Sequence, residues 1–537
     1  MRYRKAVAAV LVVTSGPLLA ACSSGRDASA PESTARSGES ATSDPPPSSS
    51  APLKSSPPAS GAEDTPGFGE GPPGRGLARF YDQRPDWVGC DDSGKTCADI
   101  WVPLDYGDPN GTAITIKAKM DPAGAADAQV GSLFINPGGP GGSGIDYLDQ
   151  VKLGSAVTDV YDVIGFDPRG VATSTPVDCI TDAELDALVA ADPSPDTSQE
   201  IAAMEDLWAN FTAGCRERSG PLLRHVSTVE VARDLDVMRS VVGDRQLFYF
   251  GGSYGTYIGA TYAGLFPERV GRMVLDGAVD PLAKPQRSHI GQAVGFETAL
   301  MEYLSFCVES GSCPLGDDVE TARDAMIDLL HDLDSNPLPT ASGRELTEGL
   351  GFLGVVLPLY SRTTWPYLTQ GLEYAINGRG DVLLALADAY AERSSDGTYA
   401  TNSLEVQSAV NCLDHPERAS LAQIQASSAR FSRLAPVFGP VATWFAYGCS
   451  NWPVSRSEPL PDFSARGAAP IVVVGTTRDP ATPYQQAVKL ADVLESGVLL
   501  TRDGDGHGAY GAGNTCIDDA IDAYLADDVV PDDGTRC

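Results

Sequence analysis

Histidine is scarce in this 537-residue chain, with only five in all. Any chemistry that needs an imidazole must therefore use His225, His289, His331, His415 or His507. Basic residues are also few: 38 lysines and arginines stand against 72 aspartates and glutamates, for a formal charge of −34. A surface this acidic repels a phosphate backbone, which excludes nucleic acid as a partner. No C-x-x-C or H-E-x-x-H spacing occurs, so no zinc or other metal site is expected. Beyond the N-terminus no apolar run is long enough to span a bilayer, and no internal repeat marks a solenoid.

What is present is a chain with 42% hydrophobic residues, long enough for two or three domains and a sizeable core. Arg2, Arg4 and Lys5 precede a short apolar stretch that ends Leu19-Ala20-Ala21-Cys22. That pattern resembles a lipoprotein export signal over 1–21, with Cys22 as the residue to be acylated. Residues 22–75, rich in Ser, Pro, Ala and Gly, bury too little apolar surface to offset the entropy of ordering and are expected to form a disordered tether. The chain is thus expected outside the cell, lipid-anchored to the outer face of the cell membrane. Ten cysteines remain: Cys90, Cys97, Cys179, Cys215, Cys307, Cys313, Cys412, Cys449, Cys516 and Cys537. An even set in an oxidising compartment reads as disulfides. Pairing neighbours in order gives five short loops, while other connectivities remain open. Nothing points to a particular oligomeric state.

From residue 76 onward, β-rich apolar runs alternate with helical periodicity, which predicts an α/β fold. Strands are expected at Ala113–Met120, Val130–Ile135, Val160–Phe166, Leu247–Phe250 and Arg272–Leu275. Ser227-Thr-Val-Glu230 has the spacing of a capping box. Between 281 and 435 amphipathic helices dominate, and strands resume at Ile471–Val474 and Val498–Leu500. The expected organisation is a core over 76–280, a helical cap over 281–435 and completion of the core over 436–537.

Gly251-Gly252-Ser253-Tyr254-Gly255 is a G-x-S-x-G between a strand and a helix, which presents Ser253 as a nucleophile on a tight turn. In such a fold the triad runs serine, acid, histidine along the chain. His507, in a glycine-flanked loop after the last apolar strand, is the expected base. Asp479, in the loop after Ile471–Gly475, is the expected acid, with Asp503 and Asp505 as rivals and Thr482 as a possible buttress. A triad of this kind needs neither metal nor cofactor. Asn136-Pro-Gly-Gly-Pro-Gly-Gly-Ser-Gly144 follows a strand and can supply an oxyanion-hole amide. Gly139 and Tyr254 are the expected donors, with Gly138 as the alternative. The same loop matches a dinucleotide fingerprint, Gly139-x-Gly141-x-x-Gly144, followed by Asp162 and Asp167. That reading is the weaker one, since it leaves the serine turn unexplained.

Together, Asn136–Gly141, Asp167-Pro-Arg-Gly170, the serine pentapeptide, Asp479-Pro-Ala-Thr-Pro483 and Gly506-His-Gly508 resemble the tripeptidyl aminopeptidase group of actinobacterial α/β-hydrolases, relatives of prolyl aminopeptidase. Ala172 stands where that group usually carries a further glycine. The resemblance implies an α/β-hydrolase fold, with a mostly parallel sheet and a helical cap insertion. It also implies a serine peptidase acting on free N-termini of a peptide substrate, with a carboxylesterase as the alternative. An exopeptidase must hold an ammonium group, and Glu297, Glu302 and Asp414 in the cap are the candidates.

Overall fold

The computed structural model describes residues 67–537; Cys22, the export signal and most of the tether lie outside the described residues. The strands run β1 (Phe68–Gly69), β2 (Val88–Gly89), β3 (Thr96–Pro103), β4 (Ala113–Asp121), β5 (Gly131–Asn136), β6 (Tyr161–Phe166) and β7 (Leu247–Gly252). They continue with β8 (Val270–Asp276), β9 (Leu338–Pro339), β10 (Glu345–Leu346), β11 (Ile471–Arg478), β12 (Gly497–Asp505) and β13 (Thr535–Arg536). All but the β9–β10 hairpin form one sheet, in the order β13-β12-β11-β8-β7-β5-β6-β4-β3-β2, with β1 on β4. From β6 to β13 every pairing is parallel, while β4, β3 and β2 continue the sheet antiparallel. This is the α/β-hydrolase fold. Among the described residues no helix is long and apolar enough to cross a membrane.

The parallel strands read as unbroken apolar runs because helices cover both faces of the sheet. Alternate residues divide between two cores: Phe134, Ile471 and Val473 pack on one side, and Leu133, Ile135, Val472 and Val474 on the other. Such a sheet gathers the loops after β5, β7, β8, β11 and β12 at one edge, where side chains from distant parts of the sequence can meet.

Three expectations change in the structure. The folded chain begins before residue 76, because Phe68 and Gly69 pair with Ile114 and Ala113. The cap is continuous in sequence but not in packing. The Ser403–Asp414 helix contributes Val406, Ala409 and Val410 to the main core, whereas Val437, Phe438 and Val441, past the expected boundary, join the cap's own core. The capping box at Ser227 does not close. The Ser227 side chain makes no bond to the helix amides, and its hydroxyl donates instead to Glu230, which also pairs with His225 Nδ1 at 2.7 Å. The cysteines pair as neighbours: 90 with 97, 179 with 215, 307 with 313, 412 with 449 and 516 with 537.

Beneath the sheet's edge Arg169 is fully buried. Its guanidinium donates to both Asp234 oxygens at 2.6 Å and to the carbonyls of Pro103, Leu104 and His225. Tyr106 closes the set with a 2.7 Å bond to Asp234. Removing one partner of such a network leaves the other charges uncompensated. Arg169→Met should therefore destabilise the fold by about 3–5 kcal/mol, seen as a lower calorimetric melting temperature.

Candidate active site

β7 ends at Gly252, and the Tyr254–Leu265 helix begins immediately after Ser253. Ser253 lies at φ 54°, ψ −126°, a conformation that persists in an L-residue only where the surroundings impose it. The flanking glycines are needed for closeness. A Cβ on Gly251 would stand 2.5 Å from the Gly255 oxygen, and one on Gly255 would stand 2.7 Å from the Asn136 oxygen.

β12 delivers His507 through Gly506, and β11 delivers Asp479. His507 Nδ1 lies 2.8 and 2.9 Å from the two Asp479 oxygens. The Asp479 carboxylate is buried and also accepts the amides of Ala481, Thr482 and Gly508. Thr482 Oγ1 stands 3.3 Å from the same ring nitrogen. With Nδ1–H committed to Asp479, Nε2 carries the free lone pair. The ring lies over Gly277, where an added Cβ would come within 3.1 Å of His507 Cε1. Gly277 follows Asp276, whose carbonyl accepts the Ser253 amide at 2.8 Å, so the imidazole and the serine turn share one support. Burial pulls the imidazole toward neutrality, but the charge and hydrogen bond of Asp479, and then the charge of Asp276, outweigh it, so the pKa is raised. The rivals Asp503 and Asp505 face elsewhere: both pair with Arg478, and Asp505 also with Arg362.

The loop after β5 lies directly on the serine turn. A Cβ on Gly138, which has φ 95°, would stand 2.6 Å from the Gly252 oxygen and 2.7 Å from Tyr254 N. The Gly138 amide is already bonded to Asn136 Oδ1, whereas the amides of Gly139 and Tyr254 have no acceptor among the described residues. Of the two glycines, Gly139 is therefore the one free to donate, alongside the Tyr254 amide at the helix N-terminus. The dinucleotide alternative fails on geometry. Asp162 is the second residue of β6, at the opposite end of the strand from the loop, and Asp167 is engaged by Ser143 and Thr173 hydroxyls.

The three cap acids differ. Asp414 is 3% exposed, and its oxygens accept the amide and hydroxyl of Thr228, capping the Thr228–Val241 helix. Burial pushes its carboxyl up to about 6. Its expected availability to a substrate ammonium is thus corrected. Glu302 is exposed on the Pro285–Glu309 helix, within charge range of Arg478. Glu297, 8% exposed on that helix, accepts the amides of Val437 and Phe438 through Oε2 and leaves Oε1 without a partner. Burial raises its pKa.

Sequence reasoning missed the cap's role in holding the site. The Tyr360 carbonyl accepts the His507 amide at 2.9 Å, and the two rings stand edge to face with centroids 5.5 Å apart. Ser403 packs on Gly141, and Gly295 packs on the Asp479–Pro480 backbone. The clustered carboxylates Asp192, Glu200 and Asp334 are the one metal-capable grouping among the described residues, and do not include Asp479 or His507.

Residues 435–537 match the family described as TAP-like protein. Over 480 residues, 84% of this chain and 90% of the relative, the chain is 40% identical to serine protease Hip1 of Mycobacterium tuberculosis. It is 37% identical to carboxylesterase B of the same organism, covering 90% of this chain and 94% of that one. It is also 34% identical to tripeptidyl aminopeptidase of Streptomyces coelicolor, over 80% of each chain.

Three outcomes follow from this geometry. Because Asp479 and Asp276 raise the His507 pKa, activity should be lost as pH falls through a value above 6.5. Asp479→Asn should move that limb downward in a kcat/KM profile and lower kcat by on the order of 10⁴-fold. Gly138→Ala should cut kcat by about 10²- to 10³-fold, because the methyl group cannot be seated without displacing the Tyr254 amide.

Proposed function

The chain belongs to the TAP-like family of α/β-hydrolases and is a serine hydrolase, and on that footing we propose that it is an exported peptidase removing short peptides from free N-termini. The reading rests on one observation above all: the Asp479–His507 couple beside the constrained Ser253 turn. Ser253 Oγ attacks the scissile carbonyl while His507 Nε2 takes its proton. The tetrahedral oxyanion receives the Gly139 and Tyr254 amides. His507 then returns the proton to the leaving amine, and water, activated by the same nitrogen, releases the acyl group from Ser253. Asp479 keeps the ring oriented and stabilises its charged form throughout.

Glu297, with a buried and unpartnered oxygen on a helix that packs on the acid loop, is the group we assign to the substrate's ammonium. Tripeptides are the expected product, after the Streptomyces relative's name. Cys22 is proposed as the acylated residue that anchors the enzyme to the outer face of the membrane. A carboxylesterase is the second reading, favoured by the 37% identity to a relative so named.

Matched fluorogenic substrates separate the two: a free tripeptidyl amide, its N-blocked form and a short-chain ester. Cleavage of the free tripeptide alone, lost in Ser253→Ala and weakened in KM by Glu297→Gln, is the expected result. Turnover of the ester alone would replace the peptidase reading with the esterase one.

A further inference from the structure

Asp276 ends β8 and is 5% exposed, yet it is absent from the triad. Its main-chain carbonyl accepts the Ser253 amide. Its carboxylate accepts the Ala509 amide at 2.9 and 3.0 Å and the Tyr510 amide at 2.9 Å. Asp479 holds the Gly508 amide. The three consecutive amides after His507 are therefore gripped by two buried carboxylates from neighbouring strands.

We propose that Asp276 is a positioning residue for His507: it holds the His507 loop in register with Ser253 and adds its negative charge to that of Asp479 beside the imidazole. This rests on the triad reading above. A neutral acceptor could have served the loop alone, since two amides ask only for lone pairs. A carboxylate buried without a lysine or arginine partner is costly, and burial pushes the Asp276 carboxyl up against the pull of the Tyr510 and Ala509 amides and His507. The cation it faces is the imidazolium that forms when His507 takes the serine proton. Charged and titratable neighbours on the surrounding elements are few. Asp479 and His507 come from the loops after β11 and β12, and Tyr147 comes from the Gly144–Leu148 helix. Around His507 itself stand Asp479, Asp276 and the Tyr360 ring. No group among these offsets the two negative charges except the imidazole.

The sign of the effect is fixed. A nearby carboxylate raises the imidazole's pKa, so deleting its charge lowers it. The test uses the rate of Ser253 labelling by a fluorophosphonate across pH, with kcat and KM on whichever substrate the enzyme cleaves. In Asp276→Asn the acid limb should move down by about one pH unit, with kcat reduced and KM unchanged. Asp276→Glu, which keeps the charge, should hold the limb near its original place even if misfit lowers kcat. A limb that stays put in Asp276→Asn while kcat falls would reduce Asp276 to a loop strut and overturn the proposal. So would unchanged rates. If Asp276→Asn does not fold, Asp276→Ser provides the same readout, and failure of both to fold would assign the residue to stability instead. Ser253→Ala runs alongside: labelling that survives it would refute the triad itself, independently of Asp276.

Discussion

The hydrogen bond from the Ser253 amide to the Asp276 carbonyl, 2.8 Å long, joins the tips of two neighbouring parallel strands. At Ser253 the backbone occupies a region that costs of order 1–3 kcal/mol for an L-residue. It stays there because this bond, the Thr256 bonds to the Ser253 carbonyl and the contact of Gly251 with Gly255 leave it no alternative. The remaining parts of the site are arranged around that turn. The loop after β5 rests on it, the chain after β8 passes beneath the imidazole, and β11 and β12 bring Asp479 and His507 to the same edge.

The cap is part of this construction rather than a cover laid over it. Each functional segment of the core is touched by a different cap segment: Gly295 against the acid loop, Tyr360 on His507, Ser403 on the glycine loop. Asp414 reaches Thr228, whose hydroxyl meets the phenol of Tyr254, the residue that follows Ser253. An ion pair from Arg362 to Asp505 adds a tether beside His507. Contacts from three separate helices, the Ser403–Asp414 helix contributing at both its ends, constrain relative motion far more than one hinge would, so the roof and the sheet edge are expected to move as a unit.

Much of this was legible in the sequence where the information is local. The serine pentapeptide, the glycine loop and the Asp-Pro and Gly-His-Gly loops each carry their geometry within a few residues. The apolar runs of β5, β7 and β11 announce strands covered on both faces. What escaped has tertiary origins. Strands of two residues, β1 and β13, have no periodicity to detect. Ser227 and Glu230 have capping-box spacing, but His225 competes for the glutamate, and Asp414, 186 residues away, supplies the cap instead. Asp276 reads as an ordinary strand end, and Tyr360 as one more cap aromatic, because their partners lie 233 and 147 residues further along the chain. Helical periodicity marks the cap boundary in the sequence, whereas packing follows surface complementarity, which sends one helix of the insertion back to the core.

The five disulfides join cysteines separated by 7, 36, 6, 37 and 21 residues, and no bridge encloses or crosses another. On the proposed export route, with the N-terminus leading into an oxidising space, each unpaired cysteine from Cys90 onward finds its partner in the next to arrive. First-come oxidation then writes the native pattern directly. Reshuffling of mispaired bonds, a process of seconds to hours, is not built into the route. The two halves of the sheet, interrupted by the cap, can be stapled locally before they find each other. A bridge spanning the insertion would instead have left a thiol waiting, exposed, until the whole insertion had followed it.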